Sequence, residues 1–197
     1  MAAPFEVPGL RPAYVSFAVY ALANWVAFVL IVGVAGWPAL RASGLRLRVS
    51  TWRIVGGFAG FVAGVTIYEV VDQALRQWHL PPVGGMNFAA PTAVELASLF
   101  VSTVVTAAFC EEVFFRVLWI GALRRRTAAP VAAIASVVAF AAIHLPHFGV
   151  GGVIFIALWS VPAVALFLAF EDCTATTVMH MLNNTFAYIV VPLLLRP

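Results

Sequence analysis

The sequence predicts an all-α fold, a polytopic membrane helix bundle of about six transmembrane helices. Of its 197 residues, 63% are hydrophobic and only 10% are charged, and the mean hydropathy is +1.02. A soluble domain of this size could not bury so much apolar surface, so the hydrocarbon of a bilayer must solvate it. The apolar residues also fall into stretches of about 20, the length that a helix needs to cross a bilayer.

The predicted spans follow one another closely. No basic run of the kind that binds nucleic acid lies between them. The first is expected to be retained, because no charged segment and cleavage site of a signal peptide precede it. In chain order the spans are Tyr14–Gly36, Trp52–Val71, Ala93–Leu123, Ala129–Leu145, Gly151–Phe170 and Thr174–Leu195.

The third and fourth spans have recognisable ends. The third is longer than a membrane requires, so it should tilt or protrude, and Thr92 with Glu95 fits a capping box at its start. The fourth is short; Pro130 suits its first turn, and the helix should stop before Pro146. We divide the chain into an N-terminal pair of spans with a loop, residues 1–91, and a four-helix core, residues 92–197, within one membrane domain.

The loops differ in charge. All 11 basic residues are arginine, and this usage, together with abundant alanine, indicates a bacterial protein of the plasma membrane. The positive-inside rule places the two Arg-rich connections in the cytoplasm and both termini outside. The stretch His79–Pro91 is rich in Pro and Gly and predicts a flexible loop. Cys110 and Cys173 give no disulfide framework. The arginines of the two connections are Arg41, Arg46, Arg48, Arg53, Arg124, Arg125 and Arg126.

The stretch CEEVFFR, which ends at Arg116, places three ionisable groups inside the third span, where such groups are costly and commonly functional. Glu112 and Arg116 are four residues apart with the acid first, so they can pair along one helix face. Glu111 lies about 100° around the helix, and its partner must come from another helix. A carboxylate in such a setting suits general base catalysis. Alternatively, the three groups only lock helices together.

Two later spans also carry polar groups. His144 ends the fourth span, where a lone histidine is commonly a capping residue, and His147 follows it in the predicted loop. His180 and Asn184 are one turn apart on the sixth span, with Asn183 as a competing partner. Each helix could use these groups for packing alone. Three helices that each contribute such groups nevertheless favour one buried polar cluster, in a pocket that opens towards the cytoplasm.

The motifs of several other hydrolase classes are absent from the sequence. There is no HExxH zinc motif and no GxSxG elbow. Asp72 and Asp172 are the only aspartates and lie at span ends, so a paired-aspartate site is excluded. A glutamate, two histidines and an asparagine remain, and that set can activate a water and stabilise an oxyanion.

Three motifs carry a family resemblance. Glu111–Arg116 reads EExxxR, Phe140–His144 reads FxxxH, and His180–Asn184 reads HxxxN. In this order on successive membrane helices, they resemble the motifs of the CPBP family, the CAAX-protease and bacteriocin-processing intramembrane peptidases, also called the ABI or Rce1-type family. The resemblance runs from about Glu95 to Val190 and leaves the first two spans unmatched.

The resemblance implies roles for individual residues. Glu111 would activate the hydrolytic water with His144 assisting, and His180 with Asn184 would stabilise the tetrahedral oxyanion. A divalent metal such as Zn²⁺ could be held by Glu111, His144 and His180. We favour a metal-free glutamate mechanism, which requires no cofactor. The supporting residues would be Glu112, Arg116 and Phe140.

The expected function is therefore an intramembrane endopeptidase that cuts a membrane-associated protein or peptide. Two other classes remain open, a non-catalytic membrane scaffold or immunity-type protein and a small transporter, since buried Glu and His also relay protons. The motif spacing favours the peptidase, and the lack of paired half-length repeats counts against the transporter.

Two further acidic pairs predict structural roles. Glu69 and Asp72 share a face of the second span with Arg76, which indicates an ion pair at the helix end. Glu171 and Asp172 open the sixth span, where acids complement the helix dipole.

Overall fold

A computed structural model describes residues 11–81 and 91–195 of the chain. These residues form seven helices and no strand, which confirms the all-α membrane bundle. The predicted loop His79–Pro91 lies mostly outside the described residues. The helices are α1 (Pro12–Ala35), α2 (Trp37–Ala42), α3 (Thr51–Gln77), α4 (Ala93–Leu123), α5 (Ala129–Ile143), α6 (Leu145–Phe170) and α7 (Thr174–Leu194).

Five of these helices, rather than six, are long and apolar enough to cross a membrane. The exception is α5, whose 15 residues reach only about 22 Å at 1.5 Å per residue. The fifth predicted span also begins earlier than expected, at Leu145 instead of Gly151. The reason is that Pro146 occupies the first turn of α6, where proline is well tolerated, and Gly149 then kinks the helix with φ of 64°.

Helix α3 packs against α6 and α7 through glycines. A Cβ atom on Gly57 would lie 2.7 Å from Val178 of α7, and one on Gly64 would lie 2.8 Å from Trp159 of α6. Small residues of this kind let membrane helices approach closely. The contact with α3 therefore fixes Trp159 and the first half of α7 in position.

Helix α1 packs mainly on α4. Arg11 binds Glu95 at 2.7 Å, and the indole N–H of Trp25 donates to Thr106 at 3.0 Å. The predicted capping box of Thr92 and Glu95 is present at the start of α4. Because only 11% of the apolar window of α1 is buried in the protein, these polar contacts define where the helix docks.

Two stretches of α4 are π-helical, Phe100–Ala107 and Val113–Ile120. They flank a short α-helical turn that holds Glu111 and Glu112. Wider turns of this type inside α-helices are frequent at functional sites. The glutamates thus lie in the one regular turn between two widened stretches.

The remaining acidic residues differ in their burial and in their ion-pair partners. Asp72 pairs with Arg76 at 2.7 Å, as predicted, whereas Glu69 is exposed and forms no ion pair within the described ranges. Asp172 is buried and accepts hydrogen bonds from Arg53 at 2.7 Å and from the backbone N–H of Thr174 at 3.1 Å. Its role is an inter-helix ion pair, which the dipole interpretation did not include.

Candidate active site

The predicted pair of Glu112 and Arg116 is present and fully buried. Arg116 Nε lies 3.3 Å from Glu112 Oε2, and its guanidinium lies 4.6 Å from the ring centroid of Phe140. Arg116 Nη2 also donates to Ser160 Oγ at 3.4 Å. Arg116 thereby connects α4 with α5 and α6.

His180 of α7 lies between the two glutamates. Its Nδ1 is 2.9 Å from Glu112 Oε1, and because a carboxylate only accepts, Nδ1 carries the hydrogen and donates. Its Nε2 is 3.7 Å from Glu111 Oε2. That distance is too long for a direct hydrogen bond, and a gap of this size between polar atoms suits a bridging water.

Glu111 has a second partner that the sequence did not reveal. Tyr20 of α1 donates its hydroxyl hydrogen to Glu111 Oε1 at 2.5 Å. Tyr188 of α7 also interacts electrostatically with this carboxylate. Both tyrosines lie in apolar stretches, and nothing in the sequence indicates which face of the bundle they contact.

Trp159 of α6 is another neighbour that sequence reasoning missed. Its ring lies edge-on to the imidazole of His180, with centroids 4.9 Å apart. Its buried indole Nε1 has no hydrogen-bond partner among the described residues, and the same holds for Arg116 Nη1.

Asn184, rather than Asn183, faces the glutamate helix. Asn184 is buried, and its side-chain Nδ2 donates to the Thr103 carbonyl oxygen of α4 at 2.8 Å. Asn183 is half-buried and donates to Asn184 Oδ1 at 3.5 Å. Because an amide nitrogen carries two hydrogens, one N–H of Asn184 remains for another acceptor.

His144 does not contact Glu111. Its Nδ1 donates to the Phe140 carbonyl oxygen at 2.7 Å, and its ring lies 4.7 Å from the ring of Phe140. The Phe140 ring in turn lies 6.1 Å from that of His180, so one aromatic side chain contacts both histidines. No contact between His144 and Glu111 is present among the described residues, and the assistance of Glu111 by His144 stays a prediction. His147, predicted in a loop, lies in the first turn of α6.

The donor groups do not form a three-ligand metal site as they are arranged. Within residues 11–81 and 91–195, no three His, Cys, Asp or Glu side chains are placed to hold a metal ion. Glu111 and His180 face each other, but His144 bonds elsewhere, so the proposed ligand set is incomplete. We derive no step through a metal.

Comparison with known proteins finds a family resemblance for part of the chain. Residues 93–186 match the family model described as type II CAAX prenyl endopeptidase Rce1-like. No curated protein and no solved structure shows a significant match to the chain. The matched segment holds Glu111, Glu112, His144, His180 and Asn184, whereas α1 and α3 lie outside it. The family that the match names is one of endopeptidases. Residues 93–186, a little under half of the chain, are therefore similar to the Rce1-like family of type II CAAX prenyl endopeptidases.

Proposed function

We propose that this chain is an intramembrane endopeptidase in which Glu111 activates water to hydrolyse a peptide bond of a membrane-associated protein or peptide. The observation that carries the proposal is the 3.7 Å gap between Glu111 Oε2 and His180 Nε2. Both side chains are buried, and the gap suits one water molecule that contacts both. A carboxylate beside such a water is the geometry that a general base requires.

Glu112 holds His180 with its second ring nitrogen towards Glu111. Nδ1–H of His180 donates to Glu112 Oε1 at 2.9 Å, and Nε2 lies 3.7 Å from Glu111 Oε2. When the imidazole carries a hydrogen on both nitrogens, Nε2–H is free to donate to the oxyanion.

The reaction follows from these donors and acceptors. Glu111 takes a proton from the water as the water oxygen bonds to the substrate carbonyl carbon. The carbonyl oxygen becomes an oxyanion, which His180 Nε2–H and the remaining N–H of Asn184 stabilise. Glu111 returns the proton to the amide nitrogen as the C–N bond breaks. We assign His144, on the other side of Phe140, to substrate binding.

Cleavage by purified protein in liposomes tests this proposal, with membrane-anchored peptides as substrates and mass spectrometry of the products. We expect Glu111→Gln to lower the rate by about 10²–10⁴-fold, the usual contribution of a general base. Glu69→Gln removes an exposed carboxylate and should cut as fast as the wild type. A folded Glu111→Gln variant that cuts normally would refute the glutamate mechanism. Activity lost to a chelator and restored by Zn²⁺ would refute its metal-free form.

Thermal unfolding separates the peptidase from a packing-only scaffold. A carboxylate kept for chemistry commonly costs stability. We therefore expect Glu111→Gln to unfold at the same or a higher temperature than the wild type. A large drop in the midpoint would instead favour the scaffold.

A further inference from the structure

Helix α1 supplies a side chain to the site although it lies outside the segment matched to the family. The hydroxyl of Tyr20 binds Glu111 Oε1 at 2.5 Å, while Glu111 Oε2 faces His180. The two oxygens of one carboxylate therefore have separate neighbours. With Oε1 occupied by the tyrosine, Oε2 is the oxygen left to accept a proton from water.

We propose that Tyr20 is a positioning residue that holds the Glu111 carboxylate with Oε2 directed at the water. This assignment rests on the proposed function, because it concerns the same base. The other polar groups facing Glu111 are His180 and Tyr188 from α7. Among the described residues, α4 gives the Glu111 side chain no hydrogen-bond donor of its own, so its orientation depends on α1 and α7.

The docking of α1 does not depend on Tyr20 alone. Arg11 binds Glu95 near the start of the helix, and Trp25 binds Thr106 further along it. Loss of the Tyr20 hydroxyl therefore leaves α1 attached and frees only the Glu111 carboxylate. This separation makes Trp25→Phe a matched control, since it removes one α1–α4 hydrogen bond away from Glu111.

The test measures kcat and KM of peptide cleavage for Tyr20→Phe, with kcat expressed per folded molecule. We expect kcat to fall about 10- to 100-fold, the range for one hydrogen bond to a charged group, with KM unchanged. Trp25→Phe should keep the wild-type kcat and KM.

Two outcomes distinguish the assignment from the proposed function. If Glu111→Gln is inactive but Tyr20→Phe behaves like Trp25→Phe, the positioning role is wrong and the base survives. If Glu111→Gln stays active, the base itself is wrong. Because kcat is expressed per folded molecule, partial unfolding of Tyr20→Phe cannot imitate the expected fall.

A different observation carries a second inference, on the surface at one end of the bundle. A groove of about 710 Å³, here called the arginine groove, lies between α2, the segment leading to α3, and Phe109 of α4. Arg41, Arg46 and Arg48 line it, and none forms an ion pair within the described part of the chain. Trp37 and Phe109 supply apolar lining beside the guanidinium groups.

The carboxylates near this end are already engaged. Asp172 pairs with Arg53 at 2.7 Å, and Glu171 lies 3.7 Å from Arg124. The arginine groove is thus an uncompensated cationic site next to apolar side chains. Guanidinium groups match phosphate oxygens, and clustered arginines beside a membrane span favour anionic lipids. We infer that the arginine groove binds an anionic phospholipid, with the phosphodiester on the arginines and an acyl chain along Trp37 and Phe109.

Thermal unfolding in a neutral detergent tests the lipid site. Phosphatidylglycerol should raise the unfolding midpoint by about 4 °C or more, whereas phosphatidylcholine and inorganic phosphate should not. The shift should disappear in the groove variant, which is Arg41→Gln with Arg46→Gln and Arg48→Gln. It should persist in the control variant, which is Arg124→Gln with Arg125→Gln and Arg126→Gln. An equal shift with phosphatidylcholine or inorganic phosphate, or loss of the shift in the control, would overturn the inference.

Discussion

Replacement of Arg116 by methionine tests how the charges of the site are balanced. Arg116 is fully buried and is 3.3 Å from Glu112. Its removal leaves the Glu112 carboxylate in the interior with the hydrogen bond from His180 Nδ1, at 2.9 Å. Loss of one partner of a buried ion pair costs about 3–5 kcal/mol. Because His180 still donates to Glu112, we expect a loss near the lower end, about 3 kcal/mol.

Denaturant unfolding in mild detergent, followed by tryptophan fluorescence, measures this loss. The informative comparison adds Glu112→Gln to Arg116→Met, which removes both charges. If the two side chains stabilise each other, the double variant should lose less than the sum of the single losses, by about 2 kcal/mol. Arg76→Met is the matched control, since its pair with Asp72 is exposed and such pairs contribute at most about 1 kcal/mol.

Two results would refute this reasoning. An additive double variant would mean that Glu112 and Arg116 are not coupled. A loss in Arg116→Met as small as that in Arg76→Met would mean that the buried guanidinium is not needed to hold Glu112. In either case the interpretation of Glu112 and Arg116 as a mutually stabilising buried pair would have to be revised.

Two further predictions concern packing and the thiols. Gly57→Ala should lower the free energy of unfolding by about 1–3 kcal/mol, because its Cβ would lie 2.7 Å from Val178 and 2.9 Å from the Ala175 carbonyl oxygen. The control Gly33→Ala should not lower it, because a Cβ there meets nothing within 4 Å. Equal unfolding midpoints for the two variants would contradict the close packing of α3 on α7. Burial raises the pKa of Cys173 to about 11, so maleimide at pH 7 should label this thiol only after unfolding, and labelling of the folded protein would contradict its burial. Since the unfolded thiol loses its proton first, this group should reduce stability as the pH rises from about 9 to about 11.

Contacts between residues close in sequence could be predicted. Glu112 and Arg116 are one turn apart, and Thr92 and Glu95 form a capping box, so helical geometry alone brings these groups together. Both are present. The isolation of Glu111 from its own helix follows from the same geometry, and it correctly indicated that partners had to come from elsewhere.

Contacts between distant helices could not be predicted in the same way. Tyr20 and Glu111 are 91 residues apart, and Arg53 and Asp172 are 119 apart. Their meeting depends on how each helix is rotated in the bundle, and an apolar span with little amphipathic pattern does not specify that rotation. In lipid, both faces of α1 are apolar, so no pattern in the sequence distinguished Tyr20 from its neighbours.

His144 lies away from Glu111 for a local reason. It lies at the junction of α5 and α6, where the last carbonyl oxygens of a helix lack intrahelical donors. The imidazole of His144 satisfies the Phe140 carbonyl at 2.7 Å. A histidine at a helix end therefore has a nearby acceptor that competes with a distant carboxylate, and motif spacing cannot show which of the two it binds.

The candidate site depends on helices beyond the matched segment. The hydroxyl that binds Glu111 comes from α1. On the opposite side, Gly64 of α3 lets Trp159 approach so closely that a Cβ would lie 2.8 Å from its ring, and this ring packs against His180. Glu111 and His180 are thus each in contact with a partner that a helix outside the family model supplies or packs against. It follows that the groups of the proposed site lie on the four-helix core, while α1 and α3 contact that core from outside the matched segment.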